Sequence, residues 1–265
     1  MKRKQFSVSL KREWKELVRT RRLYVYIAAA VAVMAGCWLF SATTFTVSDN
    51  GSTTMYSMAT RYGMVALTNK LLLTGYLFIA LLLVKPLISR ELREKRLVQP
   101  FCMGLKPGVH LAAKYVVQIL VPGAIGFLAS LINGSIAMLV YPQATVILGY
   151  TKIAYVTFGD VLTASLCVAE VIVFYLLLQM SLTALLRNDN IPFACSLLVL
   201  FLGDRLFERV GIIFFTPFVF QEYAEKLYIE ATALESVLAT AVTLAIWALA
   251  TIISVMVYDD RADLA

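Results

Sequence analysis

The sequence predicts an all-α integral membrane fold with six transmembrane helices. Three observations carry that expectation. Of the 265 residues, 60% are hydrophobic and 15% charged, whereas soluble domains are about half apolar and about a quarter charged. The apolar residues fall in long blocks and raise the mean hydropathy to +0.78; a bilayer core about 30 Å thick asks for blocks of about 20 residues. The basic residues are sorted between alternate connecting segments, as the positive-inside rule requires.

The elements follow in chain order, as one domain over residues 1–265. Residues 1–22 carry nine Lys/Arg. Within 5–22, Phe6, Leu10, Trp14, Leu17 and Val18 fall near one helical face, and Lys11, Arg12, Lys15, Arg19 and Arg22 crowd the other. That pattern describes a helix lying in the membrane interface. Span 1 covers 23–47. Its Met34-Ala35-Gly36-Cys37 faintly resembles a lipoprotein cleavage box, but the long basic stretch before it and the apolar residues after it argue for an uncleaved span. Polar residues 48–63 lead to span 2, 64–86.

A cytoplasmic loop is expected over 87–108. Ser89, Arg90, Glu91, Arg93, Glu94, Lys95 and Arg96 form a strong helix former of mixed charge, with Glu91 and Lys95 spaced as an i,i+4 pair. Pro100 breaks that helix. Lys106 follows, and Pro107 can start the next helix. Span 3 is 109–140, where Pro122, Gly123 and Gly126 serve either as a hinge or as a close-packing face. A loop over 141–158 precedes span 4, 159–186. Arg187-Asn188-Asp189-Asn190-Ile191-Pro192 reads as a turn and helix start. Span 5 has an apolar core of 191–203, about 20 Å of helix. Asp204, Arg205, Glu208 and Arg209 interrupt it, and residues 204–234 are expected to form an outer segment dipping into the membrane. Span 6 covers 236–258.

Charge sets the orientation. With both ends inside, the inner segments hold nine Lys/Arg in 1–22, seven in 85–114, Arg187 and Arg261, eighteen of the twenty-four. The other six are Arg61, Lys70, Lys152, Arg205, Arg209 and Lys226. The pI near 9.2 is thereby explained by topology and anionic inner lipid, with no nucleic-acid role.

Signatures of chemistry are sparse. Cys37, Cys102, Cys167 and Cys195 make no CxxC or Cys/His cluster. His110 stands alone at the mouth of span 3 without HExxH, so no metal site is expected. No GxxxxGK[ST] is present, so the chain lacks the usual phosphate cradle. No enzyme centre is expected either, since the spans hold no paired carboxylates or Ser/His pair. Glu170 lies near the middle of span 4. A carboxylate there costs about 2–3 kcal/mol or more, so it should face protein or water, or be protonated. It reads either as a substrate contact or as an interhelical hydrogen bond. Gln179 lies about 13 Å further along the helix and half a turn away. Lys70 and Asp160 sit near span ends, where they can snorkel.

This arrangement resembles the permease subunit of ABC-2-type (type V) ABC transporters. Those permeases have an amphipathic elbow helix, six spans, a long cytoplasmic loop between spans 2 and 3, and a membrane-dipping segment between spans 5 and 6. Glu91 and Glu94 match the acidic part of the family loop, and Leu97, Leu105 and Pro107 fit loosely. The family's Gly-Thr is absent, with Lys95-Arg96 in its place. The charged tail from Tyr258 to Leu264 is similar to those of such permeases. The resemblance implies a coupling helix within 89–106 that docks on a separate P-loop ATPase, present in two copies and carrying ATP and Mg. It further implies a second permease copy or paralogue and an exported substrate such as an amphipathic peptide, antibiotic or lipid. Glu170 and Gln179 become candidate path residues, and a bacterial plasma membrane the expected location. An ion-coupled transporter or channel, or a non-transporting scaffold, remains the alternative.

Overall fold

The computed structural model describes residues 2–40, 44–49, 52–57, 60–88, 107–143, 146–148, 151–153, 156–186, 188–210, 218–227 and 233–262. Helix α1, Lys2–Arg19, is followed by α2, Arg22–Leu39. Arg21 separates them in the left-handed conformation (φ 60°), with its N–H on the Val18 carbonyl at 3.0 Å. Strands β1 (Thr44–Asp49) and β2 (Ser52–Ser57) form an antiparallel hairpin with Asp49 opposite Ser52. Span 2 is built from α3 (Arg61–Leu71), a π-helical turn (Leu72–Tyr76) and α4 (Leu77–Val84). Next come α5 (Pro107–Val140), the small hairpin β3–β4 (Val146–Leu148, Thr151–Ile153) and α6 (Phe158–Leu186). Helices α7 (Asn190–Val210), α8 (Phe218–Lys226) and α9 (Ala233–Ala262) complete the chain.

Among the described residues, five helices are long and apolar enough to cross a membrane: Arg22–Leu39, Arg61–Val84, Gly108–Val140, Phe158–Leu186 and Val237–Val257. The apolar part of α7, Asn190–Gly203, is shorter. Spans 3 and 4 fall within two residues of their expected limits, and Pro107 does open α5.

Two element limits differ from expectation, and two loops gain local structure. Span 1 stops at Leu39 instead of 47, because Thr44, Phe45, Thr46 and Val47 favour strand and enter β1. The loops at 48–63 and 141–158 contain short antiparallel hairpins, and the other described elements are helical, as the all-α class expects. Residues 204–210, expected to leave the membrane helix, continue α7 to Val210 with Asp204 and Arg205 inside it. Between α7 and α9, α8 is the one helix among the described residues.

Helices α5 and α6 form the most closely packed pair. A Cβ on Gly123 would meet Val173 Cγ2 at 2.7 Å, one on Gly126 would collide with Ile172, and one on Gly134 would meet Val161 Cγ1 at 2.5 Å. Small residues let the two backbones approach where lipid offers no hydrophobic drive. Pro122 precedes these glycines in α5, and its carbonyl accepts from the Tyr76 hydroxyl at 2.8 Å. The glycines thus serve close packing. Helix α6 is the most buried span, with α3, α4, α5, α7, α8 and α9 around it. Its start is closed by a capping box: Thr157 N–H donates to Asp160 Oδ2 at 2.8 Å and Asp160 N–H to Thr157 Oγ1 at 3.3 Å. Asp160 is therefore held at the helix end.

Candidate functional site

Two buried polar clusters lie about 24 Å apart along α5, and a half-buried carboxylate on α6 lies at an intermediate depth. The first cluster joins α1 to the start of α5. Ser9, Glu13 and Leu17, four residues apart on one line of α1, are its fully buried positions. Opposite them on α5 are His110, Lys114 and Gln118, also four residues apart and buried. Glu13 Oε1 lies 3.6 Å from His110 Nε2 and 4.0 Å from Lys114 Nζ. A carboxylate is tolerated there because a cation from the other helix offsets its desolvation.

The apolar face of α1 is only partly covered by the rest of the protein. Leu17 is buried, Phe6 and Leu10 are half-buried, and Trp14 is 47% exposed. The line through Glu13 turns inward instead, because α5 supplies its partners. Leu10 and Trp14 then overlook an apolar groove against α5.

The second cluster binds five elements near the hairpin end. Trp38 Nε1 donates to Asn133 Oδ1 at 2.7 Å, and Asn133 Nδ2 donates to Thr68 Oγ1 at 2.6 Å. Ser130 Oγ donates to Asn69 Oδ1 at 2.6 Å and lies 2.9 Å from Ser165 Oγ. Asn69 Nδ2 donates to the Ala224 carbonyl at 2.8 Å, and the Tyr62 hydroxyl to the Lys226 carbonyl at 2.8 Å. Those two carbonyls belong to the last turn of α8, where a helix leaves its acceptors open. Leu227 ends α8 in the left-handed conformation (φ 53°). The short helix is thereby fastened to span 2 by side chains.

Glu170 ends a stripe. Phe158, Leu162 and Leu166 are exposed along the first half of α6, Glu170 is half-buried, and Val171 through Leu177 are buried. The carboxylate thus stands mid-helix where the outward face of α6 closes. Gln179 is separate from it: fully buried, it donates Nε2 to the Leu81 carbonyl at 2.9 Å and ties α6 to α4. Among the described residues no group of three or more His, Cys, Asp or Glu could hold a metal ion. Ser89, Arg90, Glu91, Arg93, Glu94, Lys95, Arg96, Pro100 and Lys106 lie outside the described residues. Ile88, buried, and the first turn of α5 flank them.

No protein-family model matches the chain, and no curated protein matches it.

Sequence reasoning passed over Glu13, Lys114, Asn69, Ser130 and Asn133. The signal for the last two was present: Ser130 and Asn133 stand three apart inside an apolar span, hence on one face. Polar residues in that setting hydrogen-bond across helices.

Proposed function

We propose that the chain is the transmembrane permease subunit of an ATP-driven ABC exporter. It forms the substrate path and couples to a separate P-loop ATPase. ATP and Mg belong to that partner, two copies of which act on a pair of permeases, identical or paralogous, in a bacterial plasma membrane. Both chain ends face the cytoplasm, and the shorter α7 supplies the sixth span. The substrate is an amphipathic peptide, antibiotic or lipid.

The observation that carries this reading is the fastening of α1 to α5. Residues 89–106 connect the end of span 2 to Pro107, and Glu13 of α1 meets His110 and Lys114 within the first turns beyond that connection. A push on 89–106 would therefore move α1 and the long helix α5 together, and α5 is packed along α6 by its glycines. Glu170 adds support. A carboxylate at that depth needs water or protein around it, and a path between two permease copies offers both.

Reversing charge at Glu91 and Glu94 tests the reading. The double variant E91K/E94K is expected to insert normally and to lose ATP-driven transport. Transport at the unaltered level, with an ATPase still bound, would remove the loop from the mechanism.

A further inference from the structure

We infer that the groove between α1 and α5 is a binding site for one anionic phospholipid, whose acyl chain lies against α5 and whose headgroup sits at Lys11 and Lys15. The groove has a volume of about 520 Å3, within the range of roughly 300–1,000 Å3 for ligand sites. Its floor is apolar: Leu10 and Trp14 from α1 face Val116, Leu120 and Ala124 of α5.

The shape selects a chain-like occupant. Val116, Leu120 and Ala124 are spaced by four, so they make a track about 12 Å long along the helix. Helix α5 is long and apolar enough to span, so the track runs into the bilayer as acyl chains do. It begins just past His110 and Lys114, where α1 is fastened. Val117 and Val121 line the groove beside that row, so the track is two side chains across.

Charge selects the headgroup. Lys11 and Lys15, both exposed, line the groove from α1, one turn apart on the same face. Trp14 lies between them in sequence with its ring partly exposed, as interfacial tryptophans are. Each lysine near an anionic surface contributes about fivefold to binding. The inference is independent of ATP coupling, since it uses only the fastened α1 and the spanning α5.

The test is native mass spectrometry of the full chain, purified in mild detergent and mixed with equal phosphatidylglycerol and phosphatidylcholine of matched acyl chains. The wild type is expected to retain one phosphatidylglycerol with a preference on the order of tenfold. Ala124→Trp fills the track from an exposed position and should lose the retained lipid of either kind. Lys11→Gln/Lys15→Gln should keep a lipid but lose the preference. Equal retention of the two lipids by the wild type would overturn the proposal. So would wild-type behaviour of both variants. A preference unchanged in the lysine variant would remove the headgroup assignment and the proposal with it.

Discussion

Asn69 places its side-chain amide 2.8 Å from the Ala224 carbonyl, joining the second span to the last turn of α8. The same side chain accepts from Ser130 at 2.6 Å. One residue thus satisfies an open helix end and a hydroxyl of α5 together. Asn69→Leu removes both partners at similar volume. The expected loss is about 1–3 kcal/mol, because the buried Ser130 hydroxyl and a carbonyl lose a partner. Thermal unfolding in detergent checks it. Adding Ser130→Ala should cost less than the sum of the single variants, since both act in one network.

How much of this was legible in the sequence depends on the range of the interaction. Pro107 opening α5 could be read because proline's missing N–H acts locally. The spans of α5 and α6 were legible from their apolar length. The β1–β2 hairpin also had a local signal, since Asn50-Gly51 is a favoured two-residue hairpin connection and Asp49 pairs with Ser52. It was overlooked because the apolar run of span 1 continues into Phe45 and Val47. Glu13 was not legible. Whether a charged residue on an amphipathic helix turns to solvent or inward depends on His110 and Lys114 in a distant helix. Nothing in the periodicity of α1 carries that information.

Glu13→Leu removes the carboxylate beside buried Lys114, and breaking a buried pair costs about 3–5 kcal/mol. Glu13→Leu/Lys114→Met replaces both charges by apolar groups and should recover most of the loss. Unfolding temperatures of the two variants check this, with proteolysis after Arg21 as a second readout. Cleavage should quicken in the single variant as α1 detaches from α5, and slow again in the double.

Gly126→Val puts a branched side chain where a single Cβ already collides with Ile172. Overpacking of this kind costs about 1–3 kcal/mol. Ile172→Ala in the same chain should restore part of the stability by making room. If Gly126→Val unfolds at the wild-type temperature, α5 and α6 are not in close contact there.

Glu170→Gln keeps the shape and removes the charge at mid-span. Transport should fall or change its substrate preference by tenfold or more, while expression and unfolding temperature stay near wild type. A fall in unfolding temperature with transport per folded molecule unchanged would make Glu170 a packing residue.

If this chain works on a separate ATPase, the two should leave the membrane together. The most direct test is purification of the tagged chain from native membranes in gentle detergent, with quantitative mass spectrometry of the associated proteins. A P-loop ATPase is expected in one-to-one ratio with the chain, and E91K/E94K should lose ATP-driven transport without losing that ratio. A chain that emerges alone from several mild detergents would contradict it and favour an ion-coupled carrier or a scaffold.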